Sequence, residues 1–72
     1  AELTTQQAAD FLNVSRPFLI GLLEKGEIDH RMVGTHRRVR YGDLVAYEEK
    51  SKRDRRAAIE AMIEESRRLG LE

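Results

Sequence analysis

The chain has 72 residues, with 13 lysines and arginines balanced by 13 aspartates and glutamates. A chain of this length supports one hydrophobic core at most, and folding buries only about 60% of the surface that the unfolded chain exposes. Cysteine is absent, so no disulfide adds stability, and no apolar run approaches the ~20 residues of a membrane-spanning helix. We expect a small cytoplasmic domain. The first residue, Ala1, is not an initiator methionine, as expected of a processed protein or a piece of a longer one.

The neutral total charge conceals two basic segments. The first is His36-Arg37-Arg38-Val39-Arg40, and the second is residues 50–56, which contain five lysines and arginines. Local charge, rather than the total, decides whether a surface attracts phosphate. For the second segment, an ordinary solvated face explains the charge equally well.

A first short helix is predicted from Thr4 to about Leu12. Thr4 has the position of an N-cap, and Gln7, three residues later, completes a capping box. Ala8, Phe11 and Leu12 then provide one apolar face.

A second short helix is predicted to follow almost at once. Ser15 is its N-cap, and its hydroxyl is expected to accept a hydrogen bond from the N–H of Phe18, with Pro17 in the first turn. Gly26 has the position of a C-terminal cap. Two short helices joined by a tight turn predict a helix-turn-helix.

After Gly26 the spacing of apolar residues changes. Apolar residues lie on both sides of Gly34-Thr35-His36, which predicts a β-hairpin with a glycine-containing turn. Strand alternation places Arg38 and Arg40 on the face opposite Val39 and Tyr41. The predicted core comprises Leu3, Ala8, Leu12, Leu19, Leu22, Leu23, Ile28, Val33, Val39, Leu44 and Val45.

The C-terminal part of the chain is predicted to be helical at both ends. A third helix begins near Asp43 and Leu44, and residues 48–56 contain no apolar side chain, which fits either a flexible hinge or a solvent-bridging helix. An amphipathic helix follows and ends near Gly70, with an apolar stripe of Ile59, Met62, Ile63 and Leu69. This stripe is suited to packing on its own domain, to dimerisation or to a partner's groove, and we favour the first two over the third.

The order of these elements predicts a mainly α fold with a small β-hairpin, namely a winged helix-turn-helix over residues 1–49, followed by a basic hinge and a C-terminal helix over residues 50–72. The second helix would enter the major groove of DNA and the hairpin would be the wing. The candidate DNA-binding residues are Ser15, Arg16, Pro17, Phe18, Thr35, His36, Arg37, Arg38 and Arg40. Ser15 is also a plain helix cap, and the spacing of Phe18 favours a core position.

The sequence resembles the excisionase-family helix-turn-helix, which is related to the DNA-binding domain of MerR-type regulators. The resemblance covers roughly residues 2–49 and rests on the runs 3–17, 23–28, 33–40 and 43–47. It implies a winged-helix fold and sequence-specific binding to double-stranded DNA. It places Arg16 and Pro17 on the recognition helix and His36, Arg37 and Arg38 on the wing. Two residues depart from the family pattern: Phe18 replaces a small or polar residue, and Asp29 replaces a proline.

The tail from Arg53 to Leu71 is similar to the end of antitoxin-like members of this family, which are paired with PIN-domain ribonuclease toxins. This likeness implies a DNA-binding domain that represses a shared operon and another segment that binds the toxin. A protein-interaction module and a recombination-directing architectural protein are the alternatives. Useful DNA affinity from so small a module requires a homodimer, several copies along the DNA or a partner protein.

An enzyme is not expected. The chain has no cysteine, two histidines and no glycine-rich phosphate motif. The spacing of Asp29, His30 and His36 matches no recognised metal site. We therefore expect no cofactor and no bound metal.

Overall fold

The computed structural model describes residues 1–71, which form three helices and one three-stranded antiparallel sheet. The elements in chain order are β1 Glu2–Leu3, α1 Thr5–Leu12, α2 Arg16–Glu24, β2 Arg31–Val33, β3 His36–Arg40 and α3 Tyr41–Leu69. The predicted fold class, mainly helical with a small hairpin, is confirmed.

Both predicted helix starts are present with the expected hydrogen bonds. The Gln7 N–H donates to Thr4 Oγ1 at 3.2 Å, and the Thr4 N–H donates to Gln7 Oε1 at 3.0 Å. At α2, Ser15 Oγ accepts from the Phe18 N–H at 3.2 Å. Asn13 adopts the left-handed conformation between the helices, with φ of 59°. Side-chain caps therefore fix where α1 and α2 begin, because they satisfy N–H groups that lack a partner within the helix.

The end of α2 is the glycine cap that the sequence predicted. Gly26 has a φ of +77°, and its N–H donates to the Leu23 carbonyl at 3.1 Å. The next N–H, from Glu27, donates to the Leu22 carbonyl at 3.0 Å. These bonds satisfy carbonyls at the helix end and turn the chain toward the sheet.

Strands β2 and β3 form the predicted hairpin. Val33 pairs with His36, so the turn contains only Gly34 and Thr35, and Gly34 has a φ of +62°. His36 therefore begins a strand rather than lying in the turn. The sequence did not predict β1, which pairs with the other edge of β3 to give the order β1-β3-β2.

The core lies where α1, α2, β3 and the start of α3 meet. Its buried apolar side chains are Ala8, Ala9, Leu19, Leu22, Leu23, Ile28, Val39 and Leu44. Leu3 and Leu12 pack against this core and are partly buried. Three residues expected in the core lie outside it: Val33 is 41% exposed on β2, Phe18 is 55% exposed, and Val45 is only partly buried.

Helix α3 begins earlier than predicted, at Tyr41 rather than near Leu44. The Tyr41 N–H donates to the Ala1 carbonyl at 3.0 Å, so the β1 segment supplies a hydrogen-bond partner at the helix start. Asp43 lies in the first turn, where a negative charge is favourable. The Tyr41 ring also makes an edge-to-face contact with Phe11, with ring centroids 5.2 Å apart.

The polar stretch over residues 48–56 belongs to the same helix, α3, which agrees with the solvent-bridging helix considered from sequence. Exposed ion pairs one turn apart join Lys50 to Asp54 at 2.9 Å and Lys52 to Glu48 at 3.9 Å. The boundary predicted between residues 49 and 50 therefore lies inside one continuous helix. Within residues 1–71, no helix is both long enough and apolar enough to cross a membrane.

Candidate nucleic-acid interface

A polar cleft of about 420 Å³ lies between the two helix starts and the hairpin. Three elements contribute to it: the beginning of α1, the first residue of α2 and the wing. Its lining residues are Thr4, Thr5, Gln6, Arg16, Thr35, His36, Arg37 and Arg38. The cleft thus gathers three arginines, a histidine and several hydrogen-bonding side chains, and it contains no carboxylate. Such a set favours a phosphate-bearing ligand.

Arg16 is held in position from the side of α1. Its Nε donates to Thr5 Oγ1 at 3.1 Å, and Thr5 is a buried polar residue. Because this bond uses Nε, both Nη groups remain as donors. Arg16 is also the first residue of α2, whose N-terminal end carries partial positive charge from the helix dipole.

The two wing arginines have different surroundings. Arg38 Nη1 donates to the carbonyl of Arg37 at 3.0 Å, which keeps its guanidinium close to the strand. Arg37 Nη2 lies 3.4 Å from Glu24 Oε2 at the end of α2, and the Glu24 side chain is largely exposed. An exposed pair of this length contributes little energy, so phosphate can replace Glu24 as the partner of Arg37.

A third wing arginine is already neutralised. Arg31 Nε and Nη2 donate to the two carboxylate oxygens of Glu2 at 2.5 and 2.8 Å. Glu2 lies on β1 and Arg31 on β2, so this bidentate pair spans β3 and ties the two edge strands together. The hydrogen bond lowers the pKa of the Glu2 carboxyl and raises the pKa of Arg31. Arg31 is therefore already paired with a carboxylate, and the positive charge of the cleft comes from Arg16, Arg37 and Arg38.

The structure brings together five of the nine predicted DNA-binding residues: Arg16, Thr35, His36, Arg37 and Arg38. Ser15 and Pro17 are exposed beside Arg16 at the start of α2, but the Ser15 hydroxyl is engaged as the helix cap. Arg40 lines a separate small cleft with Asp29, His30, Arg31, Arg38 and Asp43. Phe18 lies in a groove against α3 that has apolar residues of α1 and α2 on one side and mostly polar residues of α3 on the other.

Sequence reasoning missed three residues of the cleft, Thr4, Thr5 and Gln6. In the sequence these residues lie within the capping box that Thr4 forms with Gln7, and this pattern indicates only a helix start. Their proximity to the wing depends on how α1 packs against α2 and β3. Within the described residues 1–71, no group of three or more histidine and acidic side chains is arranged to hold a metal ion.

The fold and this cleft define a winged helix-turn-helix domain. A family model described as a helix-turn-helix domain matches residues 2–52, and the chain belongs to this excisionase-like family. A helix-turn-helix is a DNA-binding module whose second helix lies in the major groove.

Among curated relatives, the chain is 50% identical over 58 residues to a Mycobacterium tuberculosis protein named "Putative antitoxin VapB50". The match covers 81% of this chain and 45% of that protein. It is 47% identical over 47 residues to the uncharacterized proteins Rv2310 of Mycobacterium tuberculosis and Mb2337 of Mycobacterium bovis, covering 65% of this chain and 41% of each. The chain thus spans less than half the length of these relatives. No solved structure matches it.

Proposed function

We propose that this chain is the DNA-binding domain of an antitoxin that represses transcription of its own operon. One observation carries the proposal. Arg16, at the start of the second helix, lines the same cleft as Arg37 and Arg38 of the wing. A recognition helix and a wing that share a surface engage two parts of one duplex together. The helix reads base edges in the major groove, and the wing arginines contact the backbone or an adjacent minor groove.

The local charge supports binding to DNA despite a net charge of zero. Arg16 and Arg38 have no carboxylate partner among the described contacts, and Arg37 has only an exposed one at 3.4 Å. Three phosphate contacts of this kind make the affinity strongly dependent on salt.

The antitoxin role is supported by the relative named as an antitoxin, which is 50% identical over 81% of this chain. On this proposal the partner is a toxin of the PIN-domain ribonuclease type, encoded beside the antitoxin. The toxin-binding segment is then separate from the cleft, since the cleft faces DNA.

A reporter assay tests the regulatory role. The DNA upstream of the chain's own coding sequence is placed before a reporter gene, and the chain is expressed from a second plasmid. We expect repression by the native chain and its loss with Arg37→Ala/Arg38→Ala. Arg67→Ala/Arg68→Ala, which removes the same charge at the far end of α3, serves as the control and should still repress. Equal reporter activity with and without the native chain would contradict the proposed repression.

A further inference from the structure

Helix α2 has few side chains that are able to read a DNA sequence. Seven of its nine residues are apolar, glycine or proline, and the two with hydrogen-bonding side chains are Arg16 and Glu24. The hydroxyl of Ser15, just before α2, accepts from the Phe18 N–H as the helix cap. Sequence is read through donors and acceptors on base edges, so Arg16 and Glu24 are the candidate base-reading side chains of α2.

Glu24 lies on the same face of α2 as Arg16. The two residues are separated by two steps of four along the helix, so they share a face and lie about 12 Å apart along its axis. The wing runs beside this face, because Arg37 lines the cleft with Arg16 and also contacts Glu24. A duplex that engages both Arg16 and the wing therefore also lies against Glu24.

The Glu24 carboxylate is held loosely. Arg37 Nη2 lies 3.4 Å from Oε2, and the Glu24 side chain is 64% exposed. Its other oxygen, Oε1, accepts no hydrogen bond from any residue within 1–71. Glu2, by contrast, accepts from Arg31 through both oxygens at 2.5 and 2.8 Å. Glu24 is thus positioned by a wing arginine and is still able to accept from a new donor.

DNA that reaches the wing changes the surroundings of Glu24. When a phosphate oxygen replaces Glu24 as the partner of Arg37, the carboxylate loses its cation beside a negatively charged backbone. A carboxylate that is removed from water without a donor weakens binding. In the major groove the donors are the N4 amino group of cytosine and the N6 amino group of adenine. Cytosine is the better partner, because the adenine amino group lies beside the acceptor N7.

We propose that Glu24 selects a cytosine in the DNA site, an inference that rests on the proposed function. Two partners are exchanged together: Arg37 leaves Glu24 for a phosphate oxygen, and the Glu24 carboxylate accepts from cytosine N4. This exchange is balanced where a cytosine faces Glu24. Where guanine or thymine faces it, the carboxylate meets an acceptor and stays unpaired. Glu24 thus discriminates both by contacting the right base and by weakening binding to the wrong one.

Selection from a library of randomised duplexes tests this assignment. The native chain should select a sequence with a cytosine at one position that depends on Glu24. Glu24→Gln should change that position alone from cytosine to adenine, because glutamine pairs with N6 and N7 of adenine. Glu27→Gln removes the same charge from an exposed residue just after α2 and should select the native sequence. Selection of the native sequence by Glu24→Gln would overturn the proposal.

A second experiment tests the single amino group. Fluorescence anisotropy compares the selected duplex with one that carries, at the same position, a cytosine analogue without the exocyclic amino group. The native chain should bind the analogue duplex about five- to tenfold more weakly. Glu24→Ala has no acceptor there and should bind both duplexes alike, which also controls for the weaker base pairing of the analogue. An equal loss of affinity in the native chain and in Glu24→Ala would contradict the contact with N4.

A purely electrostatic role of Glu24 would give a different result. If the carboxylate only repelled phosphate, Glu24→Ala and Glu24→Gln would bind every duplex more tightly and select unchanged bases, and that outcome would overturn the proposal. Failure of the proposed function is distinguishable from failure of this inference. A native chain that selects no sequence contradicts sequence-specific binding, whereas a selected sequence that both Glu24 variants leave unchanged contradicts only the role of Glu24.

Discussion

The Nε of Arg16 donates to Thr5 Oγ1 at 3.1 Å, and this bond joins the first residue of α2 to the first residue of α1. It fixes a cationic side chain at the point where the helix-turn-helix and the wing share a cleft. Arginine has a long side chain, and ordering it on binding costs about 0.5–1.5 kcal/mol. A bond formed before DNA arrives reduces that cost.

Thr5→Val removes the acceptor of Arg16 while keeping the shape of the side chain. We expect affinity for a specific duplex to fall about three- to tenfold, because Arg16 must then be ordered on binding. Folding stability should change by no more than about 1 kcal/mol. Fluorescence anisotropy and urea unfolding measure the two quantities. Thr5→Ser retains the hydroxyl and should bind nearly as the native chain does, whereas native affinity in Thr5→Val would show that the bond does not position Arg16.

The wing is tested by Arg37→Ala/Arg38→Ala. We expect weaker duplex binding and a shallower dependence of affinity on salt, by about one to two in the logarithmic slope, because up to two phosphate contacts are lost. Circular dichroism should show an intact fold, since both side chains lie on the hairpin surface. Arg67→Ala/Arg68→Ala removes the same charge elsewhere and should leave the slope nearly unchanged. An unchanged slope in the wing variant would refute the wing assignment.

The Glu2–Arg31 pair makes the attachment of β1 dependent on pH. Arg31 lowers the pKa of the Glu2 carboxyl, so the pair stabilises the fold above the ordinary glutamate pKa near 4.5. That stabilisation is lost as the pH falls through the lowered pKa, when Glu2 takes up a proton. Glu2→Gln should therefore melt below the native chain at neutral pH and together with it in strong acid. Thermal unfolding across this range measures the difference, and a gap that persists at every pH would contradict the account.

Gly26 and Gly21 form a matched pair for testing the end of α2. Gly26 has a φ of +77°, so Gly26→Ala should destabilise the fold by about 1 kcal/mol, although a Cβ would have open space around it. Gly21 lies inside α2 and has equally open surroundings. Gly21→Ala should stabilise the helix by roughly 0.5–1 kcal/mol. Urea unfolding measures the free energy of unfolding of both variants. A Gly26→Ala variant as stable as Gly21→Ala would show that the left-handed cap is dispensable.

The features that the sequence predicted well are those encoded within a few residues. The capping box of Thr4 and Gln7, the Ser15 cap and the Gly26 turn each depend on neighbours in the chain. The missed features depend on distant parts of the chain. Strand β1 has two residues and exists through its pairing with β3, and α3 begins at Tyr41 with the Ala1 carbonyl as a hydrogen-bond partner.

The candidate site likewise has some features that are encoded by neighbouring residues and others that depend on distant parts of the chain. Arg16 and the wing residues were selected by residue type and by their expected elements, whereas the contribution of Thr5 required the packing of α1 on α2. Phe18 has the spacing of a core residue, and only the structure shows that its ring lies in an open groove. Helical periodicity identifies an apolar face, but it does not show whether that face is covered by the same chain.

Fluorescence anisotropy with a labelled duplex tests the central claim most directly. The duplex is taken from the DNA upstream of the chain's own coding sequence and compared with a scrambled duplex of equal composition, at low and high salt. The account predicts tighter binding to the native duplex and a preference that survives at the higher salt, because base contacts are screened less than phosphate contacts. Equal affinity for both duplexes, lost together as salt rises, would contradict sequence-specific recognition by this domain.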